Sequence, residues 1–182
     1  MPKHPKLPPK DGARKVIVAF FTEFIPSVET EFNLLQKAVK ERLRLSLFDL
    51  QGEALVFGLH CLDMDVMAQF GTQYQEAFMD VAVPFTAGVL ASEYPKDRDE
   101  VLKRFEALYN TRQHEYAAMQ RSLGDNPRKG TLLWEYSKRI CLKAGVHDPP
   151  ALEAMIDEGD EILRTNSEVN RDALTCAQMN PV

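Results

Sequence analysis

Long hydrophobic runs are missing from this sequence. No stretch approaches the about 18 apolar residues that a spanning helix needs, and "VIVAFF" (16–21) is the nearest thing to one near the N-terminus. The opening "MPKHPKLPPKDGARK" has no apolar signal-peptide core. No membrane partner is therefore expected. Cysteine is scarce too: Cys61, Cys141 and Cys176 stand far apart, with no C-x-x-C, so zinc-ribbon and thioredoxin-type sites are excluded. Three isolated cysteines fit a reduced, cytoplasmic protein.

Catalytic signatures are absent as well. There is no G-x-S-x-G elbow, and no E-x-x-H or H-x-x-x-H pair of the kind that sets two metal ligands on one helix turn. "GDNPRKGT" (124–131) looks like a phosphate loop but fails it. Five residues separate its glycines, where the motif needs four, and Lys129 precedes Gly130. Cys61 and Cys141 fall at apolar helical positions, where cysteine acts as a small hydrophobe. His114 and His147, beside Glu115 and Asp148, read as surface or cap positions.

Charge is unevenly spread. The net charge is −5. Five bases against one acid leave +4 on residues 1–15, so the remaining 17 basic and 26 acidic residues put −9 on the rest. An acidic body repels phosphate backbones, which excludes general nucleic-acid binding.

What is present is helix-forming and amphipathic. Residues 1–14, with Pro2, Pro5, Pro8 and Pro9 among lysines, read as a flexible, disordered basic arm. Residues 15–25 fit a short helix closed by Pro26, and Ser27 is placed as N-cap of the next. From Phe32 the apolar residues step by three and four through Leu43, Leu47, Leu50, Ala54, Phe57, Cys61, Met64 and Ala68. That seam predicts a central apolar helix over about 43–68, since Phe48, Leu55, Leu59, Leu62 and Val66 add a second apolar side. The rival is a β-hairpin turning at Gln51-Gly52.

Further helices are expected over about 72–92, kinked at Pro84; from a capping-box-like Asp97 with Glu100; over 131–144, closed by Gly145; and from Asp148–Pro149 onward. The sum is an all-α, single-domain bundle of roughly five to seven helices. It covers residues 15–165 and is followed by a polar tail, 166–182, that frays or forms a short helix.

Three features bear on function. Asp49, Glu53, His60 and Asp63 fall on one strip of the central helix. His60, Asp63 and Glu53 are of metal-ligand or acid/base type, and the bland alternative is a narrow polar edge satisfied by a neighbouring helix. Arg112 takes the place where the stripe Leu102, Phe105, Tyr109, Tyr116, Met119, Leu123 calls for an apolar residue. If covered, its guanidinium needs an acceptor, with Asp63 and Glu53 the candidates. Flanked by Tyr109 and Tyr116, it is also a candidate grip for a carboxylate or phosphate ligand.

The aromatic run Phe70, Tyr74, Phe78, Phe85 suits either core or a lipophilic pocket. Arg121, Arg128, Lys129, Lys138, Arg139 and Lys143 make a locally basic region, a solvated face or a dock for an acidic partner. The expected mode of action is binding to a protein partner or to a second copy, not catalysis, with no cofactor implied. The alternatives are a metal-dependent helical enzyme at His60/Asp63, and a ligand-binding bundle at Arg112.

Overall fold

A computed structural model describes residues 7–26, 28–30, 46–119 and 131–145, together with positions 168, 171 and 175. No strand element occurs among them. The architecture is an all-α bundle of helices packed around a buried central one.

Helix α1, Pro9–Ala19, starts inside the stretch expected to be a disordered arm. Pro9 sits in the first turn, where a missing N–H costs nothing and the fixed φ suits the helix. The prolines that read as arm thus include a helix start. Residues 1–6 of the expected arm lie outside the described residues. Gly12, Ala13, Val16 and Ile17 are buried. Gly12 allows a close approach: a methyl there would meet Tyr74 Oη at 2.7 Å. Tyr74 in turn donates to the Leu7 carbonyl at 3.2 Å.

The chain does not stop at Pro26 as expected. A π-helical turn, Phe20–Phe24, follows α1, closed by the Ile25 N–H on the Phe20 carbonyl. Proline cannot donate, and in a regular helix its ring crowds the carbonyl four residues back. A widened turn immediately before it relieves both demands. Helical residues then lie on both sides of Pro26, and Thr30 Oγ1 donates to the Pro26 carbonyl at 3.0 Å. Ser27 and residues 31–45 lie outside the described residues.

Helix α2, Leu47–Phe70, is the central element, and it removes the hairpin alternative over those residues. Ser46 is its N-cap. Its hydroxyl accepts from the Asp49 N–H at 3.1 Å and donates to the Asp49 carboxylate at 2.5 Å. Every residue from Leu50 to Leu62 is buried. Gly71, at φ 86°, ends the helix in a conformation that favours glycine.

Helix α3, Thr72–Glu93, returns against α2 and also packs on α1. It runs through Pro84, which is exposed, as is Asp80, whose carbonyl loses its helical donor to the proline. Tyr94, at φ −121° and ahead of Pro95, leaves helical geometry as its position dictates.

Helix α4, Arg98–Tyr116, begins after Asp97, but the expected capping box does not form: the Asp97 side chain makes no cap hydrogen bond. Its buried residues are Val101, Phe105, Arg112 and Tyr116. Leu102 and Tyr109, expected in the core stripe, are only half-buried; the inward face is rotated toward Val101. Met119 lies beyond the helix end, and Leu123 is outside the described residues.

Helix α5, Leu132–Ala144, forms as expected, capped by Thr131 Oγ1 on the Trp134 N–H and ended by Gly145 at φ 72°. Phe57 of α2 joins three helices: its ring lies 6.3 Å from that of Tyr116 and 4.5 Å from that of Tyr136. The helix expected from Asp148 lies outside the described residues, and the described tail positions 168, 171 and 175 are helical and exposed. No helix among the described residues is long and apolar enough to cross a membrane.

Candidate functional site

The polar strip of α2 is a seam between helices. Asp49 meets Arg104 at 3.0 Å. Glu53 accepts from Arg112 twice, Nε at 2.8 Å and Nη2 at 2.6 Å. His60 Nδ1 lies 3.2 Å from Gln113 Oε1. These three partners ascend α4 as the strip ascends α2. Asp63 turns instead to α3, where its carboxylate accepts from the Gln75 amide.

Arg112 therefore takes Glu53 and not Asp63. Asp63 stands ten residues further along α2, about 15 Å at 1.5 Å per residue. Glu53 has no exposed surface and the Arg112 side chain retains only 8%. The hydrogen bond to Glu53 raises the guanidinium above its already high range, and this outweighs burial, which acts the other way. A third bond runs from Arg112 Nη1 to Glu115 at 2.6 Å.

The pairing continues on both sides. Glu115 meets Arg139 at 3.0 Å, and Glu135 holds Arg139 at 2.9 Å and Lys138 at 2.7 Å. At the other end Lys143 Nζ lies 3.0 Å from Glu53 and 3.9 Å from Asp49. Lys138, Arg139 and Lys143 of the expected basic region are thus tied into one ladder across α2, α4 and α5. Arg121, Arg128 and Lys129 lie outside the described residues.

In the expected grip of Arg112, Tyr109 and Tyr116, the guanidinium is already engaged by Glu53 and Glu115. Tyr109 is half-buried, and burial followed by the charge of Asp63 pushes its hydroxyl up to about 12. Tyr116 packs its ring against Phe57 and against His60, 5.5 Å away. Among the described residues its buried hydroxyl has no hydrogen-bond partner, and burial, then the nearby Glu53, raise it well above the usual range.

The residues proposed as metal ligands also go separate ways: Glu53 to two cations, His60 to Gln113, Asp63 to Gln75. Among the described residues no group of three or more His, Cys, Asp or Glu side chains is arranged to hold a metal. His114 is exposed and His147 lies outside the described residues. Cys61 and Cys141 are buried in the helical core. Of the aromatic run, Tyr74 and Phe78 lie against Gly12 of α1, and the Tyr74 ring is 4.9 Å from Phe70 and 6.2 Å from Phe78.

One open space adjoins the ladder. A cleft of about 320 Å³ lies between the first turns of α2 and the middle of α4, with Lys143 at its edge. Phe48, Phe105 and Leu108 supply an apolar wall; Asp49, Arg104, Arg112 and Lys143 supply charge. Its volume falls within the range that holds a small molecule or an anchoring side chain. The Arg104 guanidinium lies 4.4 Å over the Phe48 ring and stays half exposed. Gly52 lets the helices close beneath it, since a methyl there would sit 3.3 Å from Leu108.

Sequence reasoning missed Arg104 and the reach of Lys143. The sequence places Lys143 only within the local basic region and singles out nothing about Arg104; the crossing of α4 and α5 over α2 brings the two together at Asp49. Compared with protein-family models, with curated proteins and with solved structures, the chain shows no significant match.

Proposed function

We propose that this protein acts by binding an acidic segment of a partner protein, and that the cleft between α2 and α4 is where that segment docks. The observation that carries the reading is the cleft itself, with its apolar wall beside Arg104 and Lys143. Beyond residue 15 the chain is acidic, at −9. An acidic partner is therefore repelled by most of the surface and attracted here, which favours one docking orientation. A cytoplasmic location belongs to the same reading, supported by three cysteines spaced far apart in the sequence with no C-x-x-C.

The metal-dependent alternative has no specific observation in its favour. A cation at Glu53 would sit beside Arg112 and Lys143, against their charge.

The test is site-specific photo-cross-linking in cells. One reactive residue is placed at Thr111, on the exposed rim of the cleft, and a control at exposed Gln73 on α3. The reading predicts an adduct from position 111 only, reproduced when the identified partner is purified and mixed with the protein. Equal adducts from both positions, or none from 111, overturn it. An adduct with a second copy would turn the reading into self-association.

A further inference from the structure

The ladder of ion pairs does not balance. Its cations are Arg104, Lys143, Arg112, Arg139 and Lys138; its carboxylates are Asp49, Glu53, Glu115 and Glu135. Among the described residues five positive charges face four negative ones, so one positive charge is in surplus. The inner part is internally paired: Arg112 makes three short hydrogen bonds, and Glu135 binds two cations. The surplus therefore falls at the open end, where Arg104 and Lys143 share Asp49.

Asp49 fills that role poorly. It reaches Arg104 through one hydrogen bond of 3.0 Å, while Lys143 stands 3.9 Å away and closer to Glu53. Its other oxygen is drawn back to the Ser46 hydroxyl at 2.5 Å. A guanidinium has five N–H donors in a planar fork, and among the described residues Arg104 has one of them bonded. A carboxylate entering from the cleft can meet that fork two-pronged, as Glu53 meets Arg112 in the same ladder. Phe105 and Leu108 lie ready to cover an apolar group attached to it.

We infer that the cleft is a site for one carboxylate carried beside an apolar group, and that Asp49 is a built-in competitor holding the cations in its absence. The inference rests on the binding reading of the same cleft. In the docked segment the group is an aspartate or glutamate side chain next to a large apolar residue. A single surplus charge matches a monoanion. An internal competitor lowers apparent affinity by the fraction of time it occupies the site, so removing it tightens binding.

The experiment uses the full chain, nitrogen-15 labelled, titrated with 4-phenylbutyrate, its neutral amide, and phenyl phosphate. Shifts are followed at the Leu108 and Thr111 amides and the Arg104 Nε–H. The inference predicts that the acid binds and the amide does so far more weakly. Asp49→Asn should tighten the acid by about threefold or more while leaving the amide unchanged, and Arg104→Gln should abolish the preference for acid. Unfolding midpoints of both variants guard against misfolding; Arg104 is half exposed, so that variant keeps the test available if Asp49→Asn loses its fold.

Equal binding of acid and amide, looser acid binding in Asp49→Asn, or a stronger preference for the phosphate overturns the inference. If the Thr111 adduct stands while Asp49→Asn fails to tighten the acid, the inference falls alone. If the acid behaves as predicted but no specific adduct forms, the partner reading falls and the cleft takes free carboxylates.

Discussion

Arg112 grips Glu53 with two hydrogen bonds, of 2.8 and 2.6 Å, across 59 positions of sequence, and the carboxylate it holds has no exposed surface. The pair pins α4 to α2 at one register, and the open cleft is the space that this crossing leaves on one side.

Breaking the pair should be costly and replacing it should not. Arg112→Met leaves Glu53 buried with Lys143 as its remaining cation and is expected to lower stability by about 3 kcal/mol. Adding Glu53→Leu to that variant should recover at least half of the loss, because two apolar side chains need no charge compensation. Urea denaturation of the three proteins measures this; an unchanged midpoint in Arg112→Met contradicts the seam.

The arginine was legible in the sequence because it stands where an apolar residue was due, and Glu53 was one of two acceptors it pointed to. Position along α2 selects between them, and that depends on a crossing that periodicity does not encode. The inward face of α4 was misjudged for a related reason: Leu102 and Val101 both satisfy a 3.6-residue period, and only the partner helix decides between them. Pro8 and Pro9 carry two meanings, arm and first helical turn, which composition cannot separate. Lys143 was legible only as one of a locally basic region and Arg104 carries no sequence signal; both matter through what lies opposite them.

Gly12→Ala normally stabilises a helix by about 0.5–1 kcal/mol. Here the added methyl meets Tyr74 Oη at 2.7 Å, in an aromatic stack with Phe70 and Phe78, so the sign should reverse to a loss of about 1 kcal/mol. Tyr74→Phe removes the oxygen and should restore the usual stabilising sign. Thermal unfolding of the single and double variants reads the reversal directly.

Glu135 should contribute to acid sensitivity. Burial pushes its carboxyl up, but the hydrogen bond and charge of Lys138 and the charge and hydrogen bond of Arg139 together hold it below its ordinary value of 4.5. A carboxylate lowered in the folded state stabilises above its unfolded value, and that contribution is lost as pH falls through the folded value. Glu135→Gln should therefore flatten the fall in stability below about pH 4.5, measured as urea midpoints across pH. An unchanged slope contradicts the pairing.

Glu93 carries the opposite sign. Burial, then the charge of Glu29, raise its carboxyl. A raised carboxyl favours the folded state below its unfolded value and opposes it as pH climbs through the folded value. Glu93→Gln should raise stability at neutral pH and leave it nearly unchanged at pH 3, with the same midpoint series as the readout.

The central claim, that the Arg104–Lys143 cleft receives an acidic partner, is tested most directly by one dissociation constant. The partner captured from position 111 is titrated against wild-type protein and against Arg104→Glu, whose side chain is half exposed and whose unfolding midpoint is checked alongside. The account predicts binding weakened by about tenfold or more on charge reversal, with a shallower dependence on salt. An unchanged constant at low salt would contradict it.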